Sequence, residues 1–221
     1  MGFVEGFRLK KDHIKILDAG CGTGLLAKKL EEYGDVTGLD FSNEALKYAR
    51  RRGIKTVHGS VVKLPFKANT YDLVTSIDVI YHNSIKEDQV ALNELYRVLK
   101  EGGHLILRVP ANKWLHTSHD AHVHTRERYN KIELYRKLRG TGFDVKRLTF
   151  MQFALLPLAF IKQLLEGSLS SDIKSGVERV NPLVNSFLEF ILTIENFLIL
   201  KGLNLPAGLG LIAVCQKPKN V

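Results

Sequence analysis

The sequence predicts an α/β fold in which helices cover both faces of a mainly parallel sheet of seven strands. Three observations carry that expectation. From Ile14 to Pro110, short apolar runs alternate with segments of helical period. A glycine-rich turn, Gly20-Cys21-Gly22-Thr23-Gly24, joins the first run to the first helix. An acidic residue, Asp40, closes the next run about twenty residues further on. Together they describe a Rossmann-like, doubly wound arrangement.

The elements follow in order. Lys15–Ala19 reads as a strand, and Gly24–Tyr33 as a helix closed by Gly34. Asp35–Leu39 is a second strand. Ser42 or Asn43 caps a helix over Glu44–Arg52, which Gly53 ends. Lys55–His58 and Tyr71–Ile77 are the third and fourth strands. Lys86–Leu99 is a helix terminated by Glu101-Gly102-Gly103, and His104–Val109 is a fifth strand stopped at Pro110. Strands alternating with helices imply right-handed crossovers and a parallel sheet. Ala111–Tyr129 is then a polar, histidine-rich connection, Lys131–Arg139 a helix and Gly142–Thr149 a strand. Phe150–Pro206 is apolar and helical, interrupted at Pro157 and Pro182, before a last strand at Leu209–Gln216. That insertion is too long for a loop. Residues 150–206 are therefore expected to form a helical cap over or beside the functional site, within a single domain spanning 1–221.

A length of 221 residues suits one α/β domain plus such an elaboration, and 45% hydrophobic against 25% charged residues argues against disorder. The net charge of +9 suits a nucleic-acid binder or an enzyme for acidic substrates, and equally a solvated lysine-rich surface. Two cysteines, Cys21 and Cys215, are too few for a disulfide framework, and the opening residues show no apolar leader, so a reducing, cytoplasmic compartment is expected. No charge-free apolar run reaches the ~18 residues of a membrane span. The nearest, Leu183–Leu200, carries Asn185, Glu189, Thr193 and Asn196 on one helical face and reads as amphipathic.

Within Leu17-Asp18-Ala19-Gly20-Cys21-Gly22-Thr23-Gly24, glycines allow a tight turn and a close ligand approach, and the helix start presents free N–H groups. Asp40 stands where this fold bonds the ribose hydroxyls of a nucleoside. The dinucleotide fingerprint wants a glycine three positions after the second one, and Leu25 is there instead. Asp18, two residues before the first glycine, favours a ligand with a cationic amino group over a pyrophosphate. S-adenosylmethionine (SAM) carries an amino group and a sulfonium, so the loop leans toward SAM.

With LDAGCGTG, GLDFSNEALKYA, GSVVKLPF, YDLVTSIDVIYH and LYRVLKEGGHLILRVP in this order, the stretch from Ile14 to about Pro110 resembles the class I SAM-dependent methyltransferases, in the group similar to the ubiquinone/menaquinone-biosynthesis enzymes. The resemblance implies that Asp18, Gly20, Cys21, Gly22 and Gly24 form the loop holding the methionine end and sulfonium side of SAM. It implies that Asp40 holds the ribose, that Phe41 packs on the adenine with Ser60 and Val61 bordering it, and that Ser76 and Ile77 offer backbone to the amino group. Two departures stand out. Position 60 is usually Asp in this group and is Ser here. Only about thirteen residues precede the first strand, where members of the group often carry a longer helical part, so covering the cofactor falls to the late insertion or to a partner chain, which leaves a homodimer open. A second run, Ser118-His119-Asp120, His124, Arg126, Arg128-Tyr129 and Gly142-Phe143, is similar to one found in many of these methyltransferases and implies acceptor-side roles for His119, Arg126, Arg128 and Tyr129.

Methyl transfer from a sulfonium is an in-line displacement with a good leaving group, so positioning and water exclusion do much of the work. A base is needed only where the acceptor must lose a proton. Candidates are Tyr81 and His82 after the fourth strand, and His116, His119, His122 and His124 after the fifth, with His82 and His124 foremost. The histidine cluster could bind zinc, yet no cysteine joins it and the reaction needs no metal, so none is expected. Basic residues gather between Glu101 and Phe150 and could attract an anionic acceptor or simply be solvated. The apolar insertion suits a hydrophobic acceptor; its Asn, Glu and Thr stripe does not suit an anionic membrane. The expectation is therefore transfer from SAM, with S-adenosylhomocysteine as product, to a hydrophobic or anionic small-molecule or lipid-type acceptor. Rival readings are an RNA or DNA methyltransferase, for which the Asn/Asp-Pro-Pro-aromatic motif is missing at Ser76-Ile77-Asp78-Val79, a non-catalytic SAM-binding subunit, and an NAD-dependent oxidoreductase.

Overall fold

Strands that are apolar at nearly every position need cover on both faces, and the chain supplies it. The computed structural model describes residues 14–83, 85–113, 127–168 and 182–219. Its strands are β1 (Ile14–Ala19), β2 (Gly34–Asp40), β3 (Lys55–His58), β4 (Tyr71–Ile77), β5 (Leu99–Pro110), β6 (Asp144–Met151) and β7 (Gly210–Gln216). They form one sheet in the order β3-β2-β1-β4-β5-β7-β6. β1 to β5 are mutually parallel, whereas β7 runs antiparallel to both of its neighbours. The helices are α1 (Leu25–Leu30), α2 (Asn43–Arg51), α3 (Asp88–Val98), α4 (Lys131–Thr141), α5 (Leu156–Ser168) and α6 (Pro182–Leu200).

Alternate residues of β1, β5 and β7 enter two separate cores. Leu17, Ala19, Leu105, Leu107 and Leu211 meet Leu92 and Leu95 of α3 and Leu134 and Leu138 of α4. Ile14, Ile16, Ile106 and Ile212 meet Ala27 and Leu30 of α1 and Ala49 of α2 on the other side. Local chemistry sets the helix ends. The Ser42 hydroxyl accepts from Ala45 N–H at 3.2 Å to start α2, and Asn130 Oδ1 accepts from Glu133 N–H at 2.7 Å to start α4.

One strand differs from the sequence expectation. β5 begins at Leu99, not His104, and Glu101-Gly102-Gly103 lies inside it. Leu99 pairs with Tyr71, and the Gly102 N–H donates to the Lys217 carbonyl at 2.8 Å. The glycine pair is thus a kink within a strand, where the sequence pattern alone reads as a helix stop.

The insertion does form two helices, but α6 is not simply core. It turns three sectors outward or inward. Glu195 and Ile199 are buried. Asn185, Glu189, Thr193 and Asn196 form the expected polar stripe and are exposed. A third sector, Phe187, Phe190, Ile194 and Phe197, is apolar and exposed, with Phe187 at 62% and Phe190 at 63%. Among the described residues no helix is long and apolar enough to cross a membrane.

Candidate active site

Parallel strands deliver their carboxyl ends to one edge of the sheet, and ligand sites form there. At that edge β1 passes into α1 through a turn in which Gly20 and Gly22 have φ of 90° and 51°. The N–H groups of Gly20 and Cys21 both donate to the Leu39 carbonyl, at 2.7 and 2.9 Å, which ties the turn to β2. A Cβ on Gly20 would come within 2.2 Å of Val79 Cγ2, so no side chain fits. A Cβ on Gly22 would meet nothing within 4 Å, because that position faces open space.

The open space is a cleft of about 340 Å³. Gly20, Gly22, Leu39, Asp40, Phe41, Gly59, Ser60, Val61, Asp78, Val79, His82 and Ile85 line it. Asp40 is fixed from two sides: Oδ2 accepts from Gly22 N–H at 2.8 Å, and Oδ1 from Ser42 N–H at 2.9 Å. Phe41 remains 57% exposed, and its ring lies 5.7 Å from that of His82.

Behind the turn, Asp18 is 2% exposed. Its Oδ1 accepts from the Thr75 hydroxyl at 2.8 Å, while Oδ2 is buried without a hydrogen-bond partner. Burial pushes its pKa up to about 6; the Thr75 hydrogen bond opposes this and the Asp40 charge adds to it. Burial likewise pushes the Cys21 thiol up to about 12, so it is held as an unreactive thiol against Gly38.

This arrangement has known counterparts. A family model described as a methyltransferase domain matches residues 17–107. A demethylmenaquinone methyltransferase of Staphylococcus aureus is 41% identical over 102 residues, which span 42% of this chain and 42% of that protein's length. Phosphoethanolamine N-methyltransferase 2 of Haemonchus contortus superposes with a TM-score of 0.65 at 19% identity, covering 98% of this chain and 51% of that one. The [4+2]-cyclase SpnF superposes with a TM-score of 0.63 at 20% identity, covering 99% and 80%. At those identities structural likeness shows the fold alone, and the cyclase shows that the fold hosts more than one chemistry.

Over residues 17–107, less than half of its length, the chain matches a methyltransferase domain.

The cleft fits SAM on three counts. The buried Asp18 Oδ2 has no hydrogen-bond partner and could accept from a cationic donor. The open Gly22 position lets a ligand reach the backbone. Asp40 lines the cleft with both oxygens preoriented. Of the cofactor residues expected from sequence, Gly20, Gly22, Asp40, Phe41, Ser60 and Val61 line the cleft together. Asp18, Cys21 and Ser76 are buried beside it, and Gly24 starts α1 with φ 81°. Ser76 and Ile77 end β4 immediately before the cleft residue Asp78. The Ser60 hydroxyl accepts from Val62 N–H at 3.4 Å, where the group's usual Asp would present a carboxylate.

The candidate bases divide. His82 lines the cleft, whereas Tyr81 packs partly buried against the larger core. His116, His119, His122, His124 and Arg126 lie outside the described residues. Arg128 Nη1 donates to the Ala111 carbonyl at 3.1 Å. Tyr129 needs correcting as an acceptor residue: it is fully buried, and its hydroxyl donates to Asp88 at 2.5 Å, with Lys137 on the same carboxylate. In the basic stretch, Arg108, Lys113, Lys137 and Lys146 are ion-paired with Asp78, Glu133, Asp88 and Asp144. Among the described residues no group of acidic, histidine and cysteine side chains could hold a metal.

Sequence reasoning missed Leu39, Gly59, Asp78, Val79 and Ile85 in the lining. Their signal was position: Leu39 lies at the end of β2, Gly59 follows β3, and the other three follow β4 at the ligand edge. Asp78 has φ 59°, which turns it into the cleft, and its Oδ2 accepts from Arg108 at 2.6 Å.

Proposed function

We propose that this chain transfers a methyl group from SAM to a small, predominantly hydrophobic acceptor. The observation that carries the reading is the buried, unpartnered Asp18 Oδ2 behind a glycine turn whose far side is pinned by Asp40. SAM supplies a methyl group on a sulfonium that departs as a neutral thioether. Asp18 would hold the amino end, Asp40 would accept from the ribose hydroxyls, and Phe41 would cover the adenine. His82 stands in the lining to take a proton from an acceptor that must lose one. Val79 and Ile85 keep water from the reacting centre.

The acceptor class rests on the lining. Among its described residues are two carboxylates, several apolar side chains and no lysine or arginine. That supports a hydrophobic acceptor over an anionic one. A S. aureus relative named for demethylmenaquinone agrees in kind. The nucleic-acid reading gains little from the basic stretch, in which Arg108, Lys113, Lys137 and Lys146 are ion-paired.

Calorimetric titration with S-adenosylhomocysteine, beside NAD, tests the cofactor. Micromolar binding of the first alone is expected. Asp40→Ala should weaken it by roughly tenfold or more, the scale of a lost hydrogen bond to a charged group, with circular dichroism unchanged. No binding by the folded wild-type chain would overturn the reading.

A further inference from the structure

The loop after β4 and the helix α6 are joined by one polar chain. Asp78, in the cleft lining, receives Arg108 Nη1 on its carboxylate, and its own N–H donates to the Arg108 carbonyl at 3.1 Å. Arg108 Nη2 donates to Gln152 Oε1 at 3.1 Å. The Gln152 N–H donates to Glu195 Oε1, and the Ala154 N–H to Glu195 Oε2 at 3.1 Å. Glu195 is 7% exposed and projects from α6.

Two features set this chain apart from ordinary packing. Both Asp78 and Gln152 lie in the left-handed region, at φ 59° and 60°. Such backbone persists only where its surroundings over-determine it, and here each is held by the next member of the chain. A carboxylate buried beside apolar side chains is also costly unless hydrogen-bonded. Glu195 meets that requirement by clamping the turn that aims Gln152 at Arg108. At the other end, Asp78 Oδ1 has no protein partner among the described residues and its side chain is 34% exposed, so this oxygen is available to a ligand in the cleft.

We infer that Glu195 is a positioning residue for the cleft: through Gln152 and Arg108 it fixes where the Asp78 carboxylate stands, and so tunes the cleft for a ligand bearing an ammonium or hydroxyl donor at that point. Only the choice of ligand rests on the cofactor reading above. Helix α6 thereby contributes to the site without touching the ligand.

Amide hydrogen exchange on the full chain tests the relay without any ligand. Glu195→Gln keeps the shape and one acceptor oxygen, so the fold is retained. Glu189→Gln, an exposed change on the same helix, is the control. Exchange over residues 78–82 should quicken by roughly tenfold in Glu195→Gln, together with 152–154, and not in the control. Wild-type exchange at 78–82 in Glu195→Gln overturns the relay, whether or not 152–154 loosens. A second readout is affinity for S-adenosylhomocysteine. Glu195→Gln and Asp78→Asn should each weaken it by roughly fivefold, and the double variant should be no weaker than the worse single, as expected of coupled residues. Additive losses, or wild-type affinity in Glu195→Gln, count against the relay. Failure of the wild-type chain to bind would sink the cofactor reading, and the exchange result would still decide the relay.

Discussion

Asp18 is kept at a cost to the ligand-free protein. Its carboxyl is buried, Thr75 satisfies one oxygen, and the folded-state pKa rises from 3.8 to about 6. Between those values the folded chain holds more protons than the unfolded one. The stabilisation tied to that proton is fully present below about pH 4 and is lost as pH rises through about 6. A shift of about two units amounts to about 3 kcal/mol. Asp18→Asn cannot ionise and can still accept from Thr75. It should therefore be more stable than wild type by about 2–3 kcal/mol at pH 8 and nearly equal at pH 4 in denaturant unfolding. The same variant should bind S-adenosylhomocysteine more weakly, since an amide oxygen attracts an ammonium less. An equal gain at both pH values would show that burial of the charge is not the cause. Asp18 and Asp40 were legible in the sequence because their spacing from the glycine turn is the signal. Asp78 was not, because its role comes from an arginine 30 residues later and a left-handed backbone, neither of which spacing records.

At the scale of the element, α6 shows where periodicity stops informing. The polar stripe of Asn185, Glu189, Thr193 and Asn196 was readable, and the structure exposes it. The remaining circumference holds two apolar sectors, and helical period cannot say which one is buried. The choice is made by tertiary contacts: Ile199 packs inward, and Glu195 is drawn in by the N–H groups of Gln152 and Ala154. That inverts the usual expectation, with a glutamate inside and phenylalanines outside. Stability measurements should follow the structure and not the hydrophobicity. Phe190→Ser should change stability by no more than about 0.5 kcal/mol, as for an ordinary surface change. Glu195→Ala should cost about 2 kcal/mol or more, because two N–H groups lose their acceptor. The reverse ranking in thermal unfolding would place the phenylalanine sector in a packed interface. An exposed apolar sector of this kind is the usual mark of an interaction surface.

For the whole molecule, the decisive feature is that β7 lies inside the sheet. The alternation of strands and helices was enough to foresee the parallel half, and the unbroken apolar run of LGLIAVCQ hints at a strand covered on both faces. That this strand sits between β5 and β6 is a matter of topology that no hydrophobic pattern states. It has a consequence for how the molecule holds together. The stretch matched by the methyltransferase family model, 17–107, contains the glycine turn and most of the cleft, yet it ends within β5. Without β7, β5 is left as a long apolar edge, the kind that templates aggregation. Leu211, Ala213 and Cys215 also fill one core, and Ile212 the other. Beyond the strand, Lys217 Nζ donates to the Tyr96 and Leu99 carbonyls at 3.1 and 2.9 Å, closing the carboxyl end of α3. A chain cut after Leu209 should therefore lose cooperative unfolding and collect in the insoluble fraction, although every cleft-lining residue is still present. A chain cut after Lys217 keeps both the strand and the helix closure and should melt within a few degrees of the full chain, since the described residues it removes, Pro218 and Lys219, are exposed. Cooperative melting of the shorter chain at the wild-type temperature would mean that β5 needs no partner on that edge, and the site would then be a property of the first half of the sheet alone.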